Sequence, residues 1–238
     1  MKELLFLLAD LWMMFAGFFC GWKFLRRYSN YLLGLEWIIV ATSGTNFLVW
    51  SLLGGDDGSF LYTVAYFFDA FSRSVGITLI LVMGLMRVTR RYKPSLTVDI
   101  GVFAVAIAAG LYLQQFRADQ LHVGPATFYV VVNLLTTVFL AYFSWRLWKI
   151  GATGLAVGAG LATAAGTAIA LMYDFFPFPD DQHRTVFYIL ALGTWGTQLF
   201  VYFRSYRALH EHNVRTGVEP ASSQLSLNQP TASRGKPQ

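Results

Sequence analysis

Residues 60–86 read FLYTVAYFFDAFSRSVGITLILVMGLM, and this stretch decides the fold. It is an apolar run longer than the roughly 20 residues a helix needs to cross a bilayer. Asp69, Ser72 and Arg73 sit near its middle. A charge at that depth costs at least about 2.5–3.5 kcal/mol, so it is retained only where it is compensated or used. Asp69 and Arg73 are four residues apart, share one helix face and neutralise each other. The stretch therefore reads as a membrane span with a charged interior.

The rest of the chain agrees. Charged residues make up 13% of its 238 residues, against roughly 25% in soluble domains. Aromatics reach 17% and the mean hydropathy is +0.49. Cys20, the single cysteine, excludes an internal disulfide framework and a thiolate metal cluster. The net charge of +5 would suit nucleic acid or an anionic membrane surface. Its placement, described below, favours the membrane and argues against nucleic acid. The N-terminal MKELLFLLADLWMMFAGFFCGWKFLRR has its basic cluster after the apolar run. A cleaved leader has the opposite order, so this segment reads as a retained first span.

Seven apolar segments emerge, at about 4–22, 31–53, 60–86, 95–114, 126–147, 152–174 and 185–205. They lack the alternation of barrel strands, so the expected fold class is all-α, a polytopic seven-transmembrane-helix bundle. Fourteen Lys and Arg residues fall in the loops after the odd-numbered spans and in the tail, against three (Lys2, Arg117 and Arg184) on the other side. By the positive-inside rule the N-terminus is outside and the C-terminus cytoplasmic. Residues 1–207 form the membrane domain; residues 208–238, rich in Ser, Pro, Gln and Asn, read as a disordered cytoplasmic tail. Trp22, Trp37, Trp50, Trp145 and Trp148 fall near the predicted interfaces, where they suit anchoring. In the sixth span Gly154, Gly158, Ala162, Gly166 and Ala170 recur every four residues, a rhythm that predicts a closely packed central helix.

Depth follows from the helix rise of about 1.5 Å per residue. Asp69, Asn46 on the second span, Asn133 on the fifth, and nearly Asp10 on the first fall in one layer slightly outside the midplane. Thr167, Ser43, Thr45, Thr136, Thr163, Thr194, Thr197 and Gln198 lie around it. Such convergence is what a buried polar cavity requires, although membrane Asn, Ser and Thr also tie helices together at about 0.6 kcal/mol per bond. Asp10 and Asp69 against Arg73 leave one negative charge. An uncompensated carboxylate takes a proton or a cation, and Arg73 would anchor a substrate anion. Glu36 and Asp99, in reach of Arg87 or Arg90, suggest an inner gate.

Other chemistries find no residues. His122, His183, His210 and His212 all fall in loops or the tail, so no intramembrane metal site is expected; His122 and His183 with Asp119, Asp180 and Asp181 form the one external candidate. The seventh span, TVFYILALGTWGTQLFVYF, lacks the lysine a retinal Schiff base requires. No Walker loop, dinucleotide fingerprint or haem motif is present, and no cofactor is expected. In length, span count and orientation the chain resembles the small seven-helix transporters of the sugar-efflux and vitamin-uptake kind. It lacks the proline-glutamine signature of the related PQ-loop proteins, and the resemblance assigns no residues.

The expected function is a carrier in the cell (inner) membrane for a small polar or anionic solute, with a proton as the candidate coupling ion. Asp69, Arg73, Ser72, Asn46, Asn133 and Asp10 would bind solute or proton. The alternative is a sensory receptor or accessory subunit without transport activity. Its partners are the lipid bilayer, the solute, and either a second copy or a membrane complex. The enzyme reading, a lipid-modifying activity, lacks a visible reactive pair.

Overall fold

The computed structural model describes residues 1–56, 58–116, 122–174, 179–181 and 184–217. Asp57, Asp119, His183 and the tail from residue 218 lie outside them, and with Asp119 and His183 two of the five residues of the external metal candidate. Among the described residues seven helices are long and apolar enough to span a membrane: α1 (Lys2–Tyr28), α2 (Tyr31–Leu52), α3 (Phe60–Thr89), α4 (Leu96–Phe116), α5 (Val123–Lys149), α6 (Thr153–Met172) and α7 (Thr185–Arg215). The protein is a multi-pass membrane protein. Helix α7 runs beyond the expected boundary, so residues 208–215 are helical. Leu209 and Asn213 are buried there, and Asn213 donates to the Val88 carbonyl at 2.9 Å.

Six helices close a ring. Helix α1 packs between α2 and α7, followed by α6, α5, α3 and back to α2, while α4 leans on the outer side of α3. Because successive helices alternate in direction, the ring has two unlike ends. The end carrying the α1, α3, α5 and α7 C-termini is dense: Phe24, Trp37, Leu85, Phe143, Tyr202 and Tyr206 belong to one buried cluster. Phe24 meets Trp37, Phe203 and Tyr206 edge-on, with ring centroids 5.0–5.4 Å apart. Asn30 locks this end. Its Oδ1 caps α2 by accepting from the Leu33 amide, and its Nδ2 donates to the Gly84 carbonyl and the Tyr206 hydroxyl. Asn30→Ala loses a cap and two buried bonds. It is expected to lower unfolding stability by about 2–3 kcal/mol, read as a shift in a chemical-denaturation midpoint.

The closest helix approaches are not in α6. At Gly154 and Gly160 a Cβ would meet nothing within 4 Å, and at Gly158 only a Val201 methyl at 3.8 Å. Only Gly166, against the Gln198 amide, is crowded along that helix. The tight seam lies instead between α1 and α2, where a Cβ on Gly17 would stand 2.7 Å from the Trp37 carbonyl oxygen and from the Ala41 Cβ. Gly17 and Gly21 are four apart, so α1 presents the small-residue face. Sequence rhythm identified a stripe in α6 that is open at Gly154 and Gly158 and buried at Ala162 and Gly166, because spacing records which residues are small and not what stands opposite them. Two of the expected anchors also turn inward. Trp37 is buried with its indole donating to the Leu199 carbonyl, and Trp50 is buried with its indole on the Asp56 carbonyl. Trp22, Trp145 and Trp148 are exposed.

The middle of α3 departs from regular winding: Ser72–Ile80 is a π-helix. The Ser74 and Thr78 hydroxyls donate to the Phe71 and Ser74 carbonyls, drawing on acceptors that a regular helix reserves for amides. Wide turns of this kind are local and often coincide with functional positions. The winding of α3 thus widens without proline, in the segment that carries Arg73.

Candidate functional site

The end of the ring opposite the dense cluster is hollow. A cavity of about 610 Å³ extends from the loop-end residues Trp50, Tyr62, Phe116, His122 and Arg184 down to Met13, Val40, Ile77 and Trp195. Asp69, Ser72, Arg73 and Ser43 line it, so these residues from the expected layer share one wall. The other members do not. Asn46 donates to the Leu61 carbonyl at 2.9 Å, tying α2 to α3, and Asn133 donates to the Tyr129 carbonyl of its own helix at 3.0 Å. Thr137 meets Thr167 at 2.7 Å, and Thr163 meets the Tyr202 hydroxyl at 2.8 Å. Asn46 and the threonine pairs join helices, while Asn133 is held within its own.

Arg73 is the organising charge. Its Nη1 donates to Asp69 Oδ2 at 3.4 Å and its Nη2 to Asp174 Oδ2 at 2.6 Å. Its guanidinium carbon lies over the Tyr129 ring, 4.0 Å from the centroid, and over the Tyr173 ring at 3.9 Å. The Tyr173 hydroxyl donates to the other Asp69 oxygen at 2.5 Å. This arrangement uses the planar, multi-donor guanidinium as a lysine could not be used. It joins α3 to the end of α6 and to α5 across the cavity. The side chains of Arg73, Asp69 and Asp174 are 13%, 27% and 22% exposed, so the cluster is partly open to the cavity.

Asp174, Tyr173, Tyr129 and Arg184 were not singled out from sequence. Tyr173 and Asp174 end the sixth segment, and Arg184 counts there only as a loop charge. Their sole signal is an acid and a base flanking the short connection before the seventh span, a pattern common to many loops. In the structure Arg184 donates to the Tyr173 carbonyl at 2.6 Å and lies over the Phe187 ring at 4.4 Å. Its charge therefore sits on the carbonyl end of α6, where a cation is favoured. The adjoining turn is fixed by Asp180, which accepts from the Asp181, Val186 and Phe187 amides at 2.9–3.1 Å. Slight burial pushes the Asp180 carboxyl up, but the amides of Phe187, Val186 and Asp181 outweigh it and hold the group below its ordinary value.

Two acids lie deeper. Asp10 is fully buried between α1 and α2, and a Cβ on Gly44 would stand 2.7 Å from its Oδ1. Glu36 is 1% exposed, and a Cβ on Gly76, inside the wide turn of α3, would stand 2.5 Å from its Oε1. Neither carboxyl has a hydrogen-bond partner among the described residues. The expected inner gate of ion pairs is not formed: Arg87 donates to the Ser29 carbonyl at 2.6 Å, Arg90 lies over the Tyr142 ring, and Asp99 makes no ion pair among the described residues. Glu36→Met removes an unsatisfied buried polar group at similar volume. It is expected to raise unfolding stability by about 1–3 kcal/mol; a lowered midpoint would reveal a partner for the carboxyl.

Among the described residues no group of His, Cys, Asp and Glu is placed to hold a metal ion. No protein-family model, curated protein or solved structure matches the chain, so the site is read from its own geometry.

Proposed function

We propose that this protein is a membrane carrier for a small polar solute, with the cavity beside Arg73 as its binding chamber. The observation that carries the reading is the asymmetry of the bundle. A water-accessible charged cluster lines a hollow at one end, while aromatic packing around Phe24, Trp37 and Tyr206 closes the other. That is one state of an alternating-access cycle, in which helices rock about a site near the bilayer midplane. The wide turn at Ser72–Ile80 supports it, since such local widening of a helix often coincides with a functional position. With basic clusters facing the cytoplasm, this state opens outward in the cell (inner) membrane. Asp69, Arg73 and Ser72 act in the chamber; Asp10 and Glu36, buried beside it, are the candidate proton-coupling groups.

Proteoliposomes holding the purified chain are expected to accumulate at least one radiolabelled member of a panel of sugars, amino acids and amines above the protein-free level. Ala65→Trp, which fills the chamber, is expected to abolish that uptake while leaving the melting temperature within a few degrees. Uptake at the protein-free level across the panel, with the protein folded, would replace the carrier with the receptor or accessory subunit.

A further inference from the structure

The chamber's chemistry narrows the solute, on the reading that this cavity is where the solute binds. Arg73, which looks in sequence like an anion anchor, already has two carboxylates as its counter-ions. Two of its nitrogens serve carboxylates, and its guanidinium carbon lies over the Tyr129 and Tyr173 rings. The other cavity cation, Arg184, is engaged with the carbonyl end of α6. Among the described residues Asp174 uses only Oδ2, so Oδ1 is left for a ligand. The orphaned polar atoms bordering the cavity are also acceptors: Gln114 Oε1 on its wall and the Asp10 carboxyl behind Gly44. The walls supply aromatic rings, including Tyr66, Tyr188 and Trp195. A site with a carboxylate oxygen left for a ligand and with ring faces around it is complementary to a cation carrying an apolar body.

We infer that the cavity binds a small organic cation, an alkyl- or quaternary ammonium compound, with Asp174 as its counter-ion and the tyrosine and tryptophan rings as its walls. A volume of about 610 Å³ holds such a molecule with water to spare, in the size range of ordinary ligand pockets. An aromatic enclosure attracts the cation through the ring quadrupole, and desolvation strengthens that attraction.

The test is a tryptophan-fluorescence titration of the full chain in maltoside micelles, because Trp50 and Trp195 line the cavity. Choline and tetraethylammonium chlorides are the probes, with sodium acetate and glycerol as counterparts. The expected result is a saturable change with an ammonium compound and none with acetate or glycerol. Asp174→Asn should weaken the ammonium titration at least tenfold, Asp174→Glu should largely keep it, and Ala65→Trp should remove it. Thermal melting confirms folding, and Ala65→Trp serves if the asparagine variant does not fold. Saturable acetate binding, unchanged ammonium binding in Asp174→Asn, or no saturation with either ammonium compound would overturn the inference. Uptake of a sugar without ammonium binding would sink this inference and leave the carrier; ammonium binding without any uptake would do the reverse.

Discussion

Arg73→Leu is expected to cost about 3–5 kcal/mol of stability, the usual penalty for leaving partly buried charges without their partner. The loss has two parts. Asp69 and Asp174, 3.4 and 2.6 Å from the guanidinium, would face each other across the cavity with no cation between them. The Tyr129 and Tyr173 rings would also lose the plane they stack on. Arg73→Lys should recover only part of the loss, because an ammonium lacks the planar, multi-donor fork that serves two carboxylates and two rings at once. The triple variant with Asp69→Asn and Asp174→Asn should recover more, since it removes the stranded charges. Denaturant midpoints of the four proteins decide the matter. An Arg73→Leu protein within about 1 kcal/mol of the parent would mean the cluster contributes nothing beyond an ordinary surface pair.

Gly17→Val is the second large effect, and here the protein is expected not to assemble. The Trp37 carbonyl oxygen and the Ala41 Cβ occupy the space a side chain needs. The carbonyl belongs to a helix backbone and cannot rotate away, so α1 and α2 must separate. Overpacking ordinarily costs about 1–3 kcal/mol. Where a helix seam is the obstacle, the cost extends along every contact, including the buried Met13, Ala16 and Cys20 that continue it. Gly154→Val and Gly160→Val are the controls, since a Cβ there meets nothing within 4 Å. Both should express and run as the parent in size-exclusion chromatography, while Gly17→Val runs aggregated or is degraded. Equal behaviour of all three would remove the seam from the account.

Most of the architecture was legible without coordinates, and the reason is the solvent. Hydrocarbon offers no hydrogen bonds to a backbone, so each apolar run of sufficient length must become a helix regardless of its neighbours. Residues 60–86 announce their helix and its interior charges together, and the Asp69–Arg73 spacing follows from 3.6 residues per turn. Both are properties of one segment, and one segment carries them.

What required the tertiary structure is everything that depends on the opposite surface. Asp69, Asn46 and Asn133 fall at one depth in the sequence, but depth leaves rotation about the helix axis undetermined. Asp69 turns to the cavity and the two asparagines turn to carbonyls. The partner that defines the site, Asp174, lies 101 positions from Arg73 and gives no local signal. The α6 stripe and the α1 glycines look alike as spacing and differ only in whether a backbone lies across from them. The sequence by itself determined that the chain is a bundle of seven apolar helices with charge at its heart, because burial in lipid is enforced segment by segment. The packing of α3, α5 and α6 decided that the arginine is spent on two carboxylates and two rings, because only helix placement sets which side chains meet.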